Sequence, residues 1–236
     1  MKIDFAGERV LAVVAHPDDA ELLCAGTLAR ARVDGAAIGV AVLCQGEKGQ
    51  PSRPVKNLAA VRHREMRAAA KLLGAEVFFG QILDGDLADT PTQRRIVIQI
   101  IRKFRPTLVI AHHPSDYHAD HRAAFALSEA ASWFAASRGR RSASKPLVHP
   151  PAMWITDTVN ALNFNPGFFV DVSEHLELKR RMLACHRSQL LRGDDGDFSP
   201  LDELLVRQTA MRGVQAGVKA AEAFAIHPAW KRLRAW

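Results

Sequence analysis

An apolar run of small and β-branched residues, 10–15, ends directly at residues 16–19, a His-Pro-Asp-Asp tetrad. Such a run predicts a strand that is buried on both faces, as in a parallel sheet covered by helices. A second apolar run, 107–111, ends at the histidine-rich segment 112–121. Because open α/β sheets place their active sites beyond the carboxyl ends of the strands, we expect these two segments to share one metal site.

Strand and helix patterns alternate through the first half of the chain. The strand patterns cover residues 10–15, 36–44, 76–80 and 107–111, and the helical patterns between them cover residues 20–33, 58–73 and 92–104. This alternation predicts right-handed crossovers and a mostly parallel sheet, which places the chain in the α/β class. Further helices are predicted at residues 120–136, 173–191 and 201–224, and further strands at residues 152–156 and 168–172. We expect one domain over residues 1–236, with a flexible basic excursion at about 137–146.

The composition indicates a globular cytoplasmic protein. No apolar stretch approaches the roughly 20 residues that a membrane-spanning helix needs, so we expect no membrane span. The first nine residues contain acids and lack the basic-then-apolar layout of a signal peptide. Three widely spaced cysteines indicate neither a disulfide framework nor a Cys-x-x-Cys metal site, which fits a reducing compartment.

The formal net charge of +7 raises the question of an anionic partner. Part of this charge lies in the basic segment 138–145, which contains no aromatic residue that could stack on a base. No Gly-x-Gly-x-x-Gly or Walker-type sequence follows the first strand. We therefore expect a small-molecule substrate and no nucleic-acid partner, and a homo-oligomer remains open.

The two polar segments together contain the residue types of a hydrolytic zinc site. Such a site has three protein ligands and an open position for a water, whose pKa the metal lowers. His16, Asp19 and His121 would supply two imidazoles and one carboxylate. Asp18 can then point at the water and take its proton as a general base.

The same segments suggest a second role for a histidine. Asp120 is two residues from His118, and a hydrogen bond between the two side chains would fix the tautomer of His118 and favour its protonated form. A protonated His118 could stabilise an oxyanion or protonate a leaving amine. The structural alternative is that Asp18, Asp19 and Asp120 are first-turn acids favoured by a helix dipole.

The paired motifs carry a family resemblance. Residues 15–21, Ala-His-Pro-Asp-Asp-Ala-Glu, together with His-Ala-Asp-His at residues 118–121, resemble the PIG-L/LmbE family of zinc-dependent deacetylases. The resemblance extends to Arg62 and Glu65, to the His-Arg-Ser-Gln sequence at residues 186–189 and to residues 221–224. It implies a Rossmann-like three-layer sandwich and hydrolysis of N-acetylglucosaminyl conjugates.

By position, the resemblance implies the same assignments as the residue chemistry. The metal ligands would be His16, Asp19 and His121, the base would be Asp18, and the charge-stabilising histidine would be His118, oriented by Asp120. The expected cofactor is Zn²⁺, with Fe²⁺ as the alternative.

Five further residues are weaker candidates for substrate binding. Arg62 and either Asp84 or Asp86 could hold sugar hydroxyls or an anionic group. Tyr117 either donates to the oxyanion or packs as an ordinary loop aromatic, and His186 either reaches the pocket rim or packs locally. At residues 24–27 and at residues 44–47, Cys-Gln-Gly-Glu, the sequence differs from the residues that are common in this family. The second of these differences is near the expected sugar pocket.

The resulting prediction is a deacetylase that acts on a glucosamine-containing or related small molecule. One alternative is an amidase that cleaves a larger amide, of the thiol-conjugate type. The other is a non-catalytic metal-binding or ligand-sensing module, against which the complete set of ligands, base and acid argues.

Overall fold

The computed structural model describes residues 3–192 and 200–228, and these residues form one seven-stranded sheet with helices on both sides. The strands are β1 (Arg9–Val14), β2 (Ala37–Cys44), β3 (Glu76–Ile82), β4 (Leu108–Ala111), β5 (Ala152–Thr156), β6 (Phe168–Asp171) and β7 (Ala221–Ile226). The helices are α1 (Asp19–Leu23), α2 (Ala25–Val33), α3 (Leu58–Leu73), α4 (Pro91–Phe104), α5 (Ala119–Ala135), α6 (Leu176–Leu183), α7 (Arg187–Leu190) and α8 (Leu201–Ala216).

The central strand β1 is covered on both faces. Alternate side chains point to opposite sides of a strand, and here Val10 and Ala12 pack in one apolar layer while Leu11 and Val13 pack in the other. Residues of α2, α3 and α6 complete the first layer, and residues of α4 and α5 complete the second. The predicted α/β class and the three-layer arrangement with a mostly parallel sheet are confirmed.

The strand order β3-β2-β1-β4-β5-β7-β6 positions the functional site. Strands β1 to β5 run parallel, and β7 runs antiparallel to both β5 and β6. The chain winds outward from β1 through β2 and β3, then returns to β4 on the other side of β1. A crevice forms at such a reversal because the two connections leave in opposite directions, beyond the carboxyl ends of the strands.

The last predicted helix, 201–224, is wrong in its final third. Helix α8 ends at Ala216 because Gly217 adopts a left-handed conformation with φ of 69°, which a glycine reaches without steric cost. The chain then reverses into β7, which pairs with β5 and β6. The predicted helix 173–191 is divided into a 3₁₀ turn, α6 and α7, and the predicted helix 20–33 is interrupted at Cys24.

The basic segment 137–146 has no regular secondary structure. The guanidinium of Arg102, which is buried, donates to the carbonyls of Ala135, Ser137 and Arg140 and so holds the beginning of this segment. The flexibility of the segment stays a prediction. The predicted single domain includes residues 1–2, 193–199 and 229–236, which lie outside the described residues.

Across the ranges that the structure describes, the helices are too short or too polar to traverse a lipid bilayer.

Candidate metal centre

The turn after β1 is closed by one of its own carboxylates. The backbone N–H of His16 donates to Oδ2 of Asp19 at 2.7 Å, and the N–H of Asp19 donates back to the carbonyl of His16 at 3.3 Å. Between them, Asp18 adopts φ of 105°, in the left-handed region that non-glycine residues rarely occupy. This tight turn brings the side chains of His16 and Asp19 to one side.

The turn before α5 is organised around two side chains. Oδ1 of Asp116 accepts the N–H of His118 at 2.9 Å, and Nδ1 of His118 accepts the N–H of Asp120 at 3.1 Å. His118 is thus the N-cap of α5. The first turn of this helix then directs His121 across the end of the sheet toward β1.

His16, Asp19 and His121 converge on one point, as the sequence predicted for a shared site. Nδ1 of His16 lies 3.3 Å from Nε2 of His121, and the Asp19 oxygens lie 3.5 Å and 3.3 Å from these two nitrogens. Two ligand atoms, each about 2.0–2.1 Å from a tetrahedral zinc ion, are about 3.3–3.4 Å apart. The separations therefore match those of atoms that share one metal ion.

The hydrogen bonds around these residues explain why the site favours a cation. Nε2 of His16 donates to Asp120 at 3.1 Å, and Nδ1 of His121 donates to Asp116 at 3.0 Å, because a carboxylate can only accept. In the neutral imidazoles, the other nitrogen of each ring then directs a lone pair toward Asp19. Burial lowers the pKa of His121, but Asp19 and Asp116 outweigh burial and raise this pKa to about 9. The residues thus fit a divalent metal ion.

The predicted contact between the carboxylate of Asp120 and the ring of His118 is not formed. Nδ1 of His118 is occupied by the backbone N–H of Asp120, because His118 caps α5. The Asp120 carboxylate instead contacts His16 and accepts the N–H of Gly85 at 2.8 Å. Burial, together with the charges of His16 and His121, lowers the pKa of His118, whereas the sequence had indicated a protonated ring.

Two residues near the site were not singled out from the sequence. Asp116 holds His121, as described above, and its other oxygen accepts the N–H of Val159 at 3.1 Å. His112 follows β4 directly, stacks on His121 with ring centroids 4.2 Å apart, and places Nε2 3.2 Å from Asp19. Both lie in the histidine-rich segment, but sequence spacing does not tell which of its members face β1.

Asp18 is 4% exposed and lies beside the candidate ligands. Burial raises its pKa to about 7, and the neighbouring negative charge of Asp19 acts in the same direction. The side chain makes no capping hydrogen bond to α1. A carboxylate with a pKa near neutrality is suited to accept a proton and to give it back.

The rings of His118 and Tyr117 flank the same centre. The ring centroid of His118 is 4.8 Å from those of both His16 and His121. The Tyr117 ring is 5.8 Å from the His118 ring and is 58% exposed, so it does not pack as a core aromatic. Both rings can therefore contact a molecule that approaches the centre.

The remaining candidates occupy different positions around the loop after β2. Arg62 is buried, and its guanidinium donates to the carbonyl of Gly49 at 2.7 Å and to the side chain of Gln189. The carboxylate of Asp84 accepts the N–H groups of Gly46 at 2.8 Å and Lys48 at 3.1 Å, so its two oxygens hold this loop.

Of the last two candidates, Asp86 is exposed and His186 is buried. The side chain of Asp86 is 60% exposed and lies 3.8 Å from the ammonium of Lys48. His186 is buried, with Nε2 3.4 Å from the equally buried Glu21. His186 therefore lies inside the protein, where its charge also acts on Asp18, rather than at an exposed rim.

The sequence matches a known family over its first half. The model of the PIG-L family, described as GlcNAc-PI de-N-acetylase, matches residues 11–132. This range contains the carboxyl ends of both strands that lead to the candidate centre, the three candidate ligands and Asp18.

Individual relatives cover most of the chain. Diacetylchitobiose deacetylase from Thermococcus kodakarensis is 30% identical over 196 residues, which cover 77% of this chain and 70% of that protein. A 4-oxalmesaconate hydratase from Pseudomonas putida is 28% identical over 216 residues, which cover 87% of this chain and 80% of that protein. The solved structure of a conserved protein from Thermus thermophilus is 31% identical, with a TM-score of 0.81 and coverage of 97% and 98% of the two chains.

Proposed function

This chain belongs to the PIG-L family, and on that premise we propose that it is a metal-dependent hydrolase that removes an N-acetyl group from a glucosamine-containing or related small molecule. The observation that carries the proposal is the convergence of His16, Asp19 and His121 within 3.5 Å, with the buried Asp18 beside them. Zinc is the proposed metal, with ferrous iron as the alternative.

The protein residues would divide the work of amide hydrolysis as follows. A bound divalent ion lowers the pKa of a water molecule and polarises the amide carbonyl. Asp18 takes the proton of the attacking water and returns it to the departing amine. His16, Asp19 and His121 hold the ion.

His118 would stabilise the developing negative charge without being protonated. Because Nδ1 of His118 accepts the N–H of Asp120, a neutral ring carries its proton on Nε2. This N–H can donate a hydrogen bond to the oxyanion of the tetrahedral intermediate. Tyr117, with its exposed ring beside His118, is a second candidate donor.

The substrate would be held by the loops that surround the centre. We propose that Arg62 and Asp84 act indirectly, by holding the loop after β2 in the conformation that lines the substrate pocket. The exposed Asp86 would contact sugar hydroxyls directly. The buried His186 would act on Asp18 through its charge, which lowers the pKa of this carboxyl group. The cytoplasmic location, the single-domain organisation and the oligomeric state stay predictions.

The relationship to a hydratase supports a second candidate function. The 4-oxalmesaconate hydratase covers more of this chain than the diacetylchitobiose deacetylase does. An activated water and a general base can add water to a carbon–carbon double bond as well as to an amide. The groups His16, Asp18, Asp19 and His121 are therefore compatible with hydration as well as with amide hydrolysis.

The decisive experiment compares the products. Purified protein loaded with zinc is incubated with N,N'-diacetylchitobiose, other N-acetylglucosaminyl conjugates, larger amides and 4-oxalmesaconate. Release of acetate together with a free amine is the expected result, and the Asp18→Asn variant should retain metal but lose this activity. A larger released acid would favour the amidase, and loss of the double-bond absorbance would favour the hydratase. Turnover of none of these compounds by fully metal-loaded protein would favour a non-catalytic module.

A further inference from the structure

The ring of His16 has a second cluster of metal-ligating atoms on the side opposite the candidate centre. Nδ1 of His16 faces Asp19 and His121, whereas Nε2 faces Asp120 at 3.1 Å. One ring nitrogen of His16, Sγ of Cys44 and a carboxylate oxygen of Asp120 all lie within 4.8 Å of one another. This second cluster therefore offers an imidazole, a thiol and a carboxylate to a single ion.

The position of Cys44 is fixed by the sheet. Cys44 is the last residue of β2, and its backbone N–H donates to the carbonyl of Ala15 at 2.8 Å. This bond attaches the end of β2 to the residue that precedes His16. The Cys44 side chain, which is 1% exposed, therefore reaches the His16 ring from a regular strand and not from a loop.

The position of Asp120 is equally fixed. It lies in the first turn of α5, and its Oδ2 accepts the N–H of Gly85 at 2.8 Å in addition to the proton of His16. Backbone hydrogen bonds thus hold the carboxylate of Asp120 and the main chain of Cys44. The His16 side chain is 15% exposed, which leaves an approach to the cluster from the candidate centre.

We propose that His16, Cys44 and Asp120 form a second cation position, selective for thiophilic ions such as Cd²⁺ or Zn²⁺ in excess. A thiolate, an imidazole nitrogen and a carboxylate are a ligand set that these ions bind, whereas Mg²⁺ and Ca²⁺ prefer oxygen ligands alone. Binding forms one bond from the ion to each ligand and releases two protons to solvent, one from the Cys44 thiol and one from Nε2 of His16. No atom is oxidised or reduced.

Occupation of this position has a consequence for the candidate centre. Asp120 is the hydrogen-bond acceptor that orients His16, and such acceptors fix the ring of a metal ligand. An ion between Nε2 of His16 and Asp120 replaces this hydrogen bond and changes the orientation of the ring. We therefore expect one equivalent of zinc to support activity and further zinc to inhibit it.

The test uses Cd²⁺, because a cadmium–thiolate bond produces an ultraviolet charge-transfer absorbance that nitrogen and oxygen ligands do not. Purified wild-type protein is titrated with Cd²⁺ alone, beside Cys44→Ser and the matched control Cys185→Ser. Wild-type protein and Cys185→Ser are expected to develop the absorbance, and Cys44→Ser is expected to lose it. Absence of the absorbance in wild-type protein, or its persistence in Cys44→Ser, would overturn the proposal.

Two further measurements separate this inference from the proposed function. His121→Ala removes a ligand of the candidate centre but none of the second position, so the absorbance should persist in this variant whatever reaction the protein catalyses. In Cys44→Ser, the zinc concentration for half-inhibition should rise on the order of 10-fold or more. If Cys44→Ser fails to fold, the ¹¹³Cd resonances of wild-type protein decide. A signal shifted by a sulfur ligand supports the site, and signals from nitrogen and oxygen ligands alone refute it.

Discussion

The carboxylate of Asp116 accepts a hydrogen bond from Nδ1 of His121 at 3.0 Å and thereby determines which nitrogen of His121 faces Asp19. Because the carboxylate can only accept, the proton of a neutral His121 is on Nδ1, and the lone pair is on Nε2. Nε2 lies 3.3 Å from both Asp19 and His16. A carboxylate that orients a histidine ligand in this way also raises the basicity of the ring.

Substitution of Asp116 is therefore expected to weaken metal binding without removing a ligand. Asp116→Ala should lower the metal affinity about 10- to 100-fold, which competition against a fluorescent chelator would measure. Asp89→Asn is a suitable control, because Asp89 is a surface carboxylate paired with Arg94. An unchanged affinity in folded Asp116→Ala would show that this hydrogen bond does not support the centre.

Asp120 offers a test between two partners. If Asp120 acts through His16, with which its carboxylate is in contact, Asp120→Ala should lower the metal affinity about 10- to 100-fold. If it acts through His118, as the sequence indicated, kcat should fall while the affinity stays unchanged. We expect the first result. Chelator competition and steady-state kinetics on the same variant distinguish the two.

The composition of the candidate centre could be predicted from the sequence, but its contacts could not. Residues 16–19 and 118–121 follow buried strand patterns, and the rule that parallel strands end at one edge was enough to bring them together. The Asp120 carboxylate contacts the His16 ring and not the His118 ring, because Nδ1 of His118 is occupied by the N–H of Asp120. The contact with His16 joins residues 104 positions apart in the chain, and no local spacing encodes it.

The bounds of a helix could likewise be predicted from the sequence where the residues that begin and end the helix lie in or next to it. Helix α3, Leu58–Leu73, has the predicted bounds because its apolar face lies within the segment and Gly74, the helix stop, directly follows it. The end of α8 was missed because residues 221–226 are rich in alanine and fit a helical pattern as well as a strand. Their strand conformation comes from pairing with β5 and β6, which are distant in sequence.

A buried ion pair joins β7 to the helices near the candidate centre. Nζ of Lys179 lies 2.6 Å from the carboxylate of Glu222, and both side chains are at most 2% exposed. Glu222 also accepts the N–H groups of Gly26 at 2.9 Å and Thr27 at 2.7 Å, at the beginning of α2. Lys179→Met should therefore lower the free energy of unfolding by about 3–5 kcal/mol, because it leaves Glu222 as an unpaired buried charge.

The double variant Lys179→Met/Glu222→Gln is the matched test of that explanation. Since it buries no net charge, it should recover part of the stability that Lys179→Met loses, as measured by urea unfolding. The surface pair Arg207–Glu203 provides a control, because breaking an exposed pair costs at most about 1 kcal/mol. A double variant less stable than Lys179→Met would contradict an uncompensated charge as the cause.

Because the backbone of Asp18 is left-handed, we expect glycine and alanine at this position to differ in stability although both abolish most of the activity. An L-residue at φ of 105° is strained by roughly 1–2 kcal/mol, whereas glycine is not. Asp18→Gly should therefore unfold at a higher urea concentration than Asp18→Ala, by about 1 kcal/mol in free energy. Both variants should keep their metal and lose about 10²- to 10⁴-fold in kcat, because both lack the proposed base.

Asn57 supplies the comparison that isolates the backbone effect. It adopts φ of 53° before α3 and, like Asp18, makes no capping hydrogen bond through its side chain. Asn57→Gly should likewise be more stable than Asn57→Ala, and both should retain activity because Asn57 is outside the candidate centre. Equal stabilities of Asp18→Gly and Asp18→Ala would show that the turn is unstrained. Activity in either Asp18 variant would instead remove Asp18 from its role as the base.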